Sequence, residues 1–134
     1  MKQLAWTQKL KAFSEFQKKS IIDILQKIVQ NGVYGKDYTV APREKNKQLR
    51  KDYCVNDAKI KEILLSLQVE DFISVEDTDH VEHPGDIVCK FKRTYSLLPK
   101  WKENADYEDV TLYIKMVKPE IGEPLFIISF HKDE

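Results

Sequence analysis

Glycine is scarce in this chain. With only four glycines among 134 residues, it has neither a GxxxxGK[ST] loop nor a GxGxxG turn to cradle a nucleotide phosphate, so no nucleotide cofactor is expected. Cysteine is scarcer still: Cys54 and Cys89 lack CxxC spacing, which argues against a zinc ribbon and a disulfide framework alike. No apolar run reaches membrane-spanning length and no signal-peptide pattern opens the chain, so the expectation is a cytoplasmic protein with reduced thiols. His80 and His83 stand three apart, but Pro84-Gly85 argues against a helix there and no third ligand accompanies them, so no metal site is expected. Ser129 and His131 fall on one face of a strand, yet nothing marks the sharp turn of a serine nucleophile, so serine hydrolysis is set aside.

What the chain does have is enough apolar material, 42% hydrophobic with 10% aromatic, to build a single core over residues 1–134. The formal net charge of zero hides an asymmetry. Fourteen Lys and Arg face seven Asp and Glu in residues 1–67, against eight and fifteen in residues 68–134. A polyanion should therefore approach from the N-terminal helices and one edge of the sheet, unless the charges only solvate helix faces.

Periodicity divides the chain in two. Trp6, Leu10, Phe13 and Phe16 recur at helical steps after the cap candidate Thr7, and Ser20 with Asp23 resembles a capping box. Residues 7–31 therefore read as two helices or one kinked helix, with Ile24, Leu25, Ile28 and Val29 buried and Gly32 at the stop. Pro42 suits a first helical turn, along which Arg43, Lys47 and Arg50 form a basic stripe at steps of four and three. Asn56 caps a further helix whose Ile60, Ile63, Leu64 and Leu67 follow the i, i+3, i+4, i+7 pattern. After Leu67 the period becomes two: residues 71–76, 87–95, 109–118 and 125–131 read as strands, with an acidic loop at 76–86 and a long connection at 96–108. The expected fold class is α+β, with N-terminal helices packed on one face of a small C-terminal antiparallel sheet.

The last two strands read as a hairpin. Val110, Leu112, Ile114 and Met116 face a core, whereas Thr111, Tyr113, Lys115 and Val117 face outward. Lys92, Arg93, Tyr95, Tyr113, Lys115 and His131 are expected near one sheet surface; of these Tyr113, Lys115, Arg93 and His131 form the candidate catalytic set, and Lys92 joins Arg43, Lys47 and Arg50 as candidate nucleic-acid contacts. Such a set suits metal-free RNA cleavage, in which a base takes the 2′-OH proton, cations hold the phosphate and an acid protonates the leaving oxygen. A histidine exchanges protons near neutral pH, so His131 is the acid or base of choice. Each residue also has an ordinary explanation: a cross-strand tyrosine, a solvated lysine, a terminal histidine. Only their convergence on one face makes a site.

The stretch 64–72, LLSLQVEDF, followed by Leu112-Tyr113-Ile114-Lys115-Met116 and Ile127-Ile128-Ser129-Phe130-His131, resembles the MqsR family of bacterial toxins, ribosome-independent members of the RelE-like superfamily. Ile28-Val29-Gln30-Asn31-Gly32 resembles the end of that family's first helix, so the likeness spans about residues 20–132 and leaves 1–19 as an extra N-terminal helix. The resemblance implies a RelE-like fold and an endoribonuclease acting on single-stranded RNA such as mRNA, held inactive by an antitoxin or another protein partner. It puts Tyr113 on the family's sheet tyrosine, Lys115 on the lysine after it, Arg93 near a basic strand position and His131 in place of a terminal lysine. Ser74 stands where the family tends to have lysine, and the chain is neutral where such toxins are usually basic. Because a fold does not fix a function, the alternative is a non-catalytic binding protein of phage or mobile-element type, using the same scaffold to inhibit a protein or nucleic-acid partner.

Overall fold

The computed structural model describes residues 15–77 and 87–133. Thr7, Trp6, Leu10, Phe13, His80 and His83 lie outside the described residues. Helix α1 (Glu15–Asn31) runs without a break through Ser20, so Ser20 is an interior helical residue and not a cap. The stripe Ile21, Ile22, Leu25, Val29 is buried and carries the helix across that point; Ile24 and Ile28 are half-buried. Residues 15–19 therefore belong to the same helix as 20–31. Phe16, at the end of the expected apolar stripe, is 80% exposed.

Helix α1 stops before Gly32, where any Cβ would collide with the Ile28 carbonyl oxygen and the Asp37 side chain. The turn that follows is closed by a hydrogen bond from Val33 N to Asp37 Oδ2 (2.7 Å) and by Gly35 at a φ of 90°. It leads into β1 (Tyr38–Val40), a short strand that period-two reading did not reveal. Helix α2 (Glu44–Asp52) takes Arg43 as its N-cap, so Pro42 sits just before the helix. Helix α3 (Asp57–Ser66) is capped by Asn56, whose Oδ1 accepts from Lys59 N at 2.8 Å. Its Ile60, Ile63 and Leu64, with Leu67 beyond its end, are at most 1% exposed.

Four longer strands follow: β2 (Phe72–Asp77), β3 (Ile87–Leu97), β4 (Glu108–Val117) and β5 (Leu125–Lys132). The sheet order is β1-β5-β4-β3-β2, antiparallel except that β1 runs parallel to β5. The α+β class holds, and the short parallel edge makes the sheet mixed. Pro42 has no N–H to extend β1. The buried Asn46 of α2 takes over the edge of β5 instead, donating from Nδ2 to Ala41 O (2.9 Å) and Ile128 O (3.0 Å) and accepting from Phe130 N (2.8 Å).

One core joins α1 and α3 to one sheet face through Val75, Cys89, Phe91, Leu112, Ile114, Met116, Ile127 and Phe130. Burial pushes the Cys89 thiol up to about 12, so Cys89 serves as an apolar side chain. Gln26 ties the two helices together by donating to Leu65 O (3.0 Å) and Leu67 O (3.1 Å), carbonyls at the end of α3. Among the described residues, no helix is long and apolar enough to cross a membrane.

Candidate functional site

Strand alternation assigns every side chain of β3, β4 and β5 to the core face or the outer face, and register decides which outer residues meet. Lys92 pairs with Tyr113, and Tyr113 with His131; one step along, Lys90 pairs with Lys115, and Lys115 with Ser129. The outer face thus carries two adjacent rows, Lys92–Tyr113–His131 and Lys90–Lys115–Ser129, on a patch about 10 Å across three strands and about 7 Å along them. Thr94 and Thr111 continue it, with their hydroxyls 2.9 Å apart. Exposure falls along the face: Lys92, Thr94 and Thr111 are exposed, Lys90, Tyr113, Lys115 and His131 half-buried, and Val88, Ile128 and Ser129 buried. Ile128 is the extra residue of a bulge in the β4–β5 ladder, which brings Ser129 and His131 onto the outer face beside Lys115 and Tyr113.

The His131 and Tyr113 rings lie tilted at 31° with centroids 5.5 Å apart. His131 Nδ1 is 2.9 Å from Lys132 O. A carbonyl only accepts, so Nδ1 carries the proton and the neutral ring keeps its lone pair on Nε2. Lys92 Nζ is 3.2 Å from the Asp133 carboxylate, an ion pair with side chains 51% and 28% exposed. Such a pair adds little stability, but it sets a carboxylate at the rim of a cationic patch.

Arg93 does not join this set. It pairs with Leu112, which is fully buried, so it lies on the helix-covered face of the sheet. There it lines a cavity of about 590 Å³ between α1 and the end of α3, 3.5 Å from Asp71, with its Nε buried and unbonded among the described residues. Adjacent strand residues point to opposite faces, and Lys92 takes the outer one. Tyr95 is also on the helix-covered face, paired with the buried Val110 and bonded to Glu62, so it does not join the set either.

The basic stripe of α2 divides as well. Arg43 borders a cavity of about 300 Å³ that is also lined by Glu44, Lys45, Asn46, Ser129 and His131, so the start of α2 adjoins the outer face. Arg50 is two turns away, on the order of 10 Å along the helix. It is bound to Asp57 (3.0 Å) with its guanidinium 5.3 Å from the centre of the Tyr34 ring. Lys47 is exposed between them. The stripe is a track leading away from the patch and does not grip one phosphate.

Sequence reasoning missed Lys90, Asp133 and Asn46, and weighed Ser129 only as a nucleophile. Period-two spacing from Lys92 and His131 would have found Lys90 and Ser129. Asn46 gave no signal, because its role depends on a strand 82 residues away. Among the described residues, no group of three or more His, Cys, Asp or Glu side chains is arranged to hold a metal ion. No protein-family model, curated protein or solved structure matches this chain.

Proposed function

We propose that the outer face of β3, β4 and β5 binds single-stranded RNA and cleaves it without a metal, the activity that the resemblance to MqsR and RelE-like toxins implies. The observation that carries this reading is the row Lys92–Tyr113–His131, with Lys90 and Lys115 beside it. It combines cations for a phosphate, aromatic faces for a base and an imidazole with a defined acceptor nitrogen.

In the proposed reaction His131 Nε2 takes the proton of the 2′-OH, and the freed oxygen attacks phosphorus. The bond from phosphorus to the 5′ oxygen breaks, that oxygen takes a proton from Tyr113 or Lys115, and a 2′,3′-cyclic phosphate remains. Lys92 and Lys115 stabilise the charge that builds on the phosphate oxygens. Arg93 has no part in this chemistry, because the sheet separates it from the phosphate. A protein partner that covers the same face would block it, which is how an antitoxin would silence the chain.

The test is incubation of end-labelled single-stranded RNA with the purified protein in EDTA, with product ends analysed. Cleavage leaving a 2′,3′-cyclic phosphate or its hydrolysed 3′-phosphate is the expected result. RNA that survives intact, together with normal growth of cells expressing the chain, would turn the reading to the non-catalytic alternative, in which the same face docks a protein.

A further inference from the structure

The connection from β3 to β4 is stapled to the end of α2. Cys54 N donates to Leu98 O (2.8 Å), and Tyr53 bridges to Pro99. The last three carbonyls of α2 are capped from the same segment: Arg50 O accepts from Lys100 Nζ (2.6 Å), Asp52 O from Lys100 N (2.9 Å), and Lys51 O from the indole N–H of Trp101. Left open, that end of the helix would carry partial negative charge and repel a phosphate. With its carbonyls engaged, and an ammonium seated on one of them, the repulsion is offset.

Capping uses only the N–H edge of Trp101. The residue is 79% exposed, although tryptophan ordinarily buries most of its surface. Its bond to Lys51 O fixes where the ring sits, so a broad aromatic surface is held open at the end of the helix. The charge around it says what covers it. Residues 43–52 carry five Lys and Arg against Glu44 and Asp52. Lys47 and Lys51, one turn apart on the same side of α2, are both exposed. Of the carboxylates at the Trp101 end, Asp52 is engaged by Gln48 Nε2 (3.0 Å) and Glu108 by Lys102 Nζ (2.8 Å). Arg43 borders the cavity that His131 also lines, so the track begins beside the proposed cleavage site and ends at Trp101, about 12 Å along the helix axis. An acidic peptide would use the cations and leave the ring idle. An unpaired nucleic-acid strand uses both, with phosphates on the cations and a base on the ring.

We propose that Trp101 is a stacking platform for one unpaired base of the bound RNA, reached from His131 along Lys47 and Lys51. The proposal deepens the RNA reading above and rests on it. At about 3.4 Å per stacked nucleotide the track takes about four nucleotides, and fewer if the strand is extended. The substrate is therefore an unpaired run and not a duplex, whose bases are stacked on one another and offer no free face to an indole. The connection between β3 and β4 thereby gains a role in binding.

The experiment measures binding of a labelled, 2′-O-methylated ten-nucleotide oligouridylate, which lacks the attacking hydroxyl, by fluorescence anisotropy over a range of salt. Trp101→Ala should weaken binding about five- to a hundredfold, the effect of losing one stacked base, with the slope of log affinity against log salt unchanged because no charge is removed. Lys51→Ala should instead make that slope shallower by about 0.7. Trp101→Phe keeps a ring and loses the N–H, so it should recover most of the affinity, whereas a residue that served only to cap α2 would not be rescued by a side chain that cannot donate. In ¹⁵N NMR spectra of the natural chain the indole signal of Trp101, identified by its absence from Trp101→Phe, should shift saturably with the oligonucleotide, together with the amides of residues 113–115 and 131. Binding that shifts residues 90–92 and 113–115, leaves the Trp101 indole unmoved and is equally tight in Trp101→Ala overturns the platform and leaves the RNA reading standing. Shifts at Trp101 and Lys51 with residues 113–115 and 131 unmoved uphold the platform and sink the outer face as the RNA site. If the oligonucleotide does not bind at low salt, both fall.

Discussion

The two faces of the sheet are made from the same strands, yet they follow different rules. On the helix-covered face Phe91, Leu112, Ile114, Met116, Ile127 and Phe130 are at most 2% exposed and join one core with α1 and α3. On the outer face, side chains on alternate positions of those strands include three lysines, a tyrosine, a histidine and a serine, with exposure graded along the strand. Buried apolar area sets stability on the first face, at about 25 cal/mol per Å² removed from water. On the second, cross-strand pairs each contribute well under about 1 kcal/mol, so residue choice there is open to function.

The largest expected effect lies in the core. Leu64→Ala in α3 should lower unfolding free energy by about 2–5 kcal/mol in urea denaturation, because a fully buried side chain is replaced by a cavity. Next comes Asn46→Ala, which leaves Ile128 O and Phe130 N without partners in a buried edge; a loss of about 1–3 kcal/mol is expected from the same measurement.

Alkaline titration probes the seam where α3 meets β3. Tyr95 donates to the Glu62 carboxylate, and burial first, then that bond, push its phenol up to about 12 from 10.0. A raised pKa in the folded state stabilises the protein fully below the unfolded value and loses that contribution as pH climbs from 10.0 toward about 12. Denaturation midpoints measured across that window should fall more steeply for the natural chain than for Tyr95→Phe. Equal slopes would show that the bond does not form.

The smallest effects come from neighbours on β3 that share a charge and differ in face. Arg93→Ala should change stability by about 1 kcal/mol, because its pair with Asp71 is partly screened, and should leave RNA cleavage untouched. Lys92→Ala should leave stability within about 0.5 kcal/mol and weaken RNA binding, with a shallower dependence on salt. The reverse pattern would mean that the site lies on the helix side, in the cavity that Arg93 lines.

Most of the fold was legible because periodicity reports burial. Ile60, Ile63, Leu64 and Leu67 declared α3, and Val110 through Met116 declared both β4 and its inward face. Strand β1 stayed hidden, since three residues are too few to show a period and its pairing with β5 spans most of the chain. Ser20 misled because a capping-box pattern is local, whereas the buried stripe that continues α1 past it is tertiary. Phe16 misled in the opposite sense, being apolar, in step and exposed. In the candidate site, Tyr113, Lys115, His131 and Lys92 were legible as one face, while Arg93 was grouped with Lys92 against the alternation that Phe91 already sets. The cleft at α2 was beyond reach of the sequence, because it depends on which strand edge Asn46 covers.

Phe130 and His131 are consecutive on β5, one in the core and the other on the outer face, and they give the most direct test of the division between faces. Unfolding free energy and the rate of RNA cleavage in EDTA should be measured together for Phe130→Ala and His131→Ala. The expected result is a loss of about 3–5 kcal/mol in stability for Phe130→Ala, with the cleavage rate of the folded fraction retained. For His131→Ala the cleavage rate should fall about 10²- to 10⁴-fold while stability stays within about 0.5 kcal/mol. A stable His131→Ala protein that cleaves RNA at the natural rate would contradict the assignment of chemistry to the outer face.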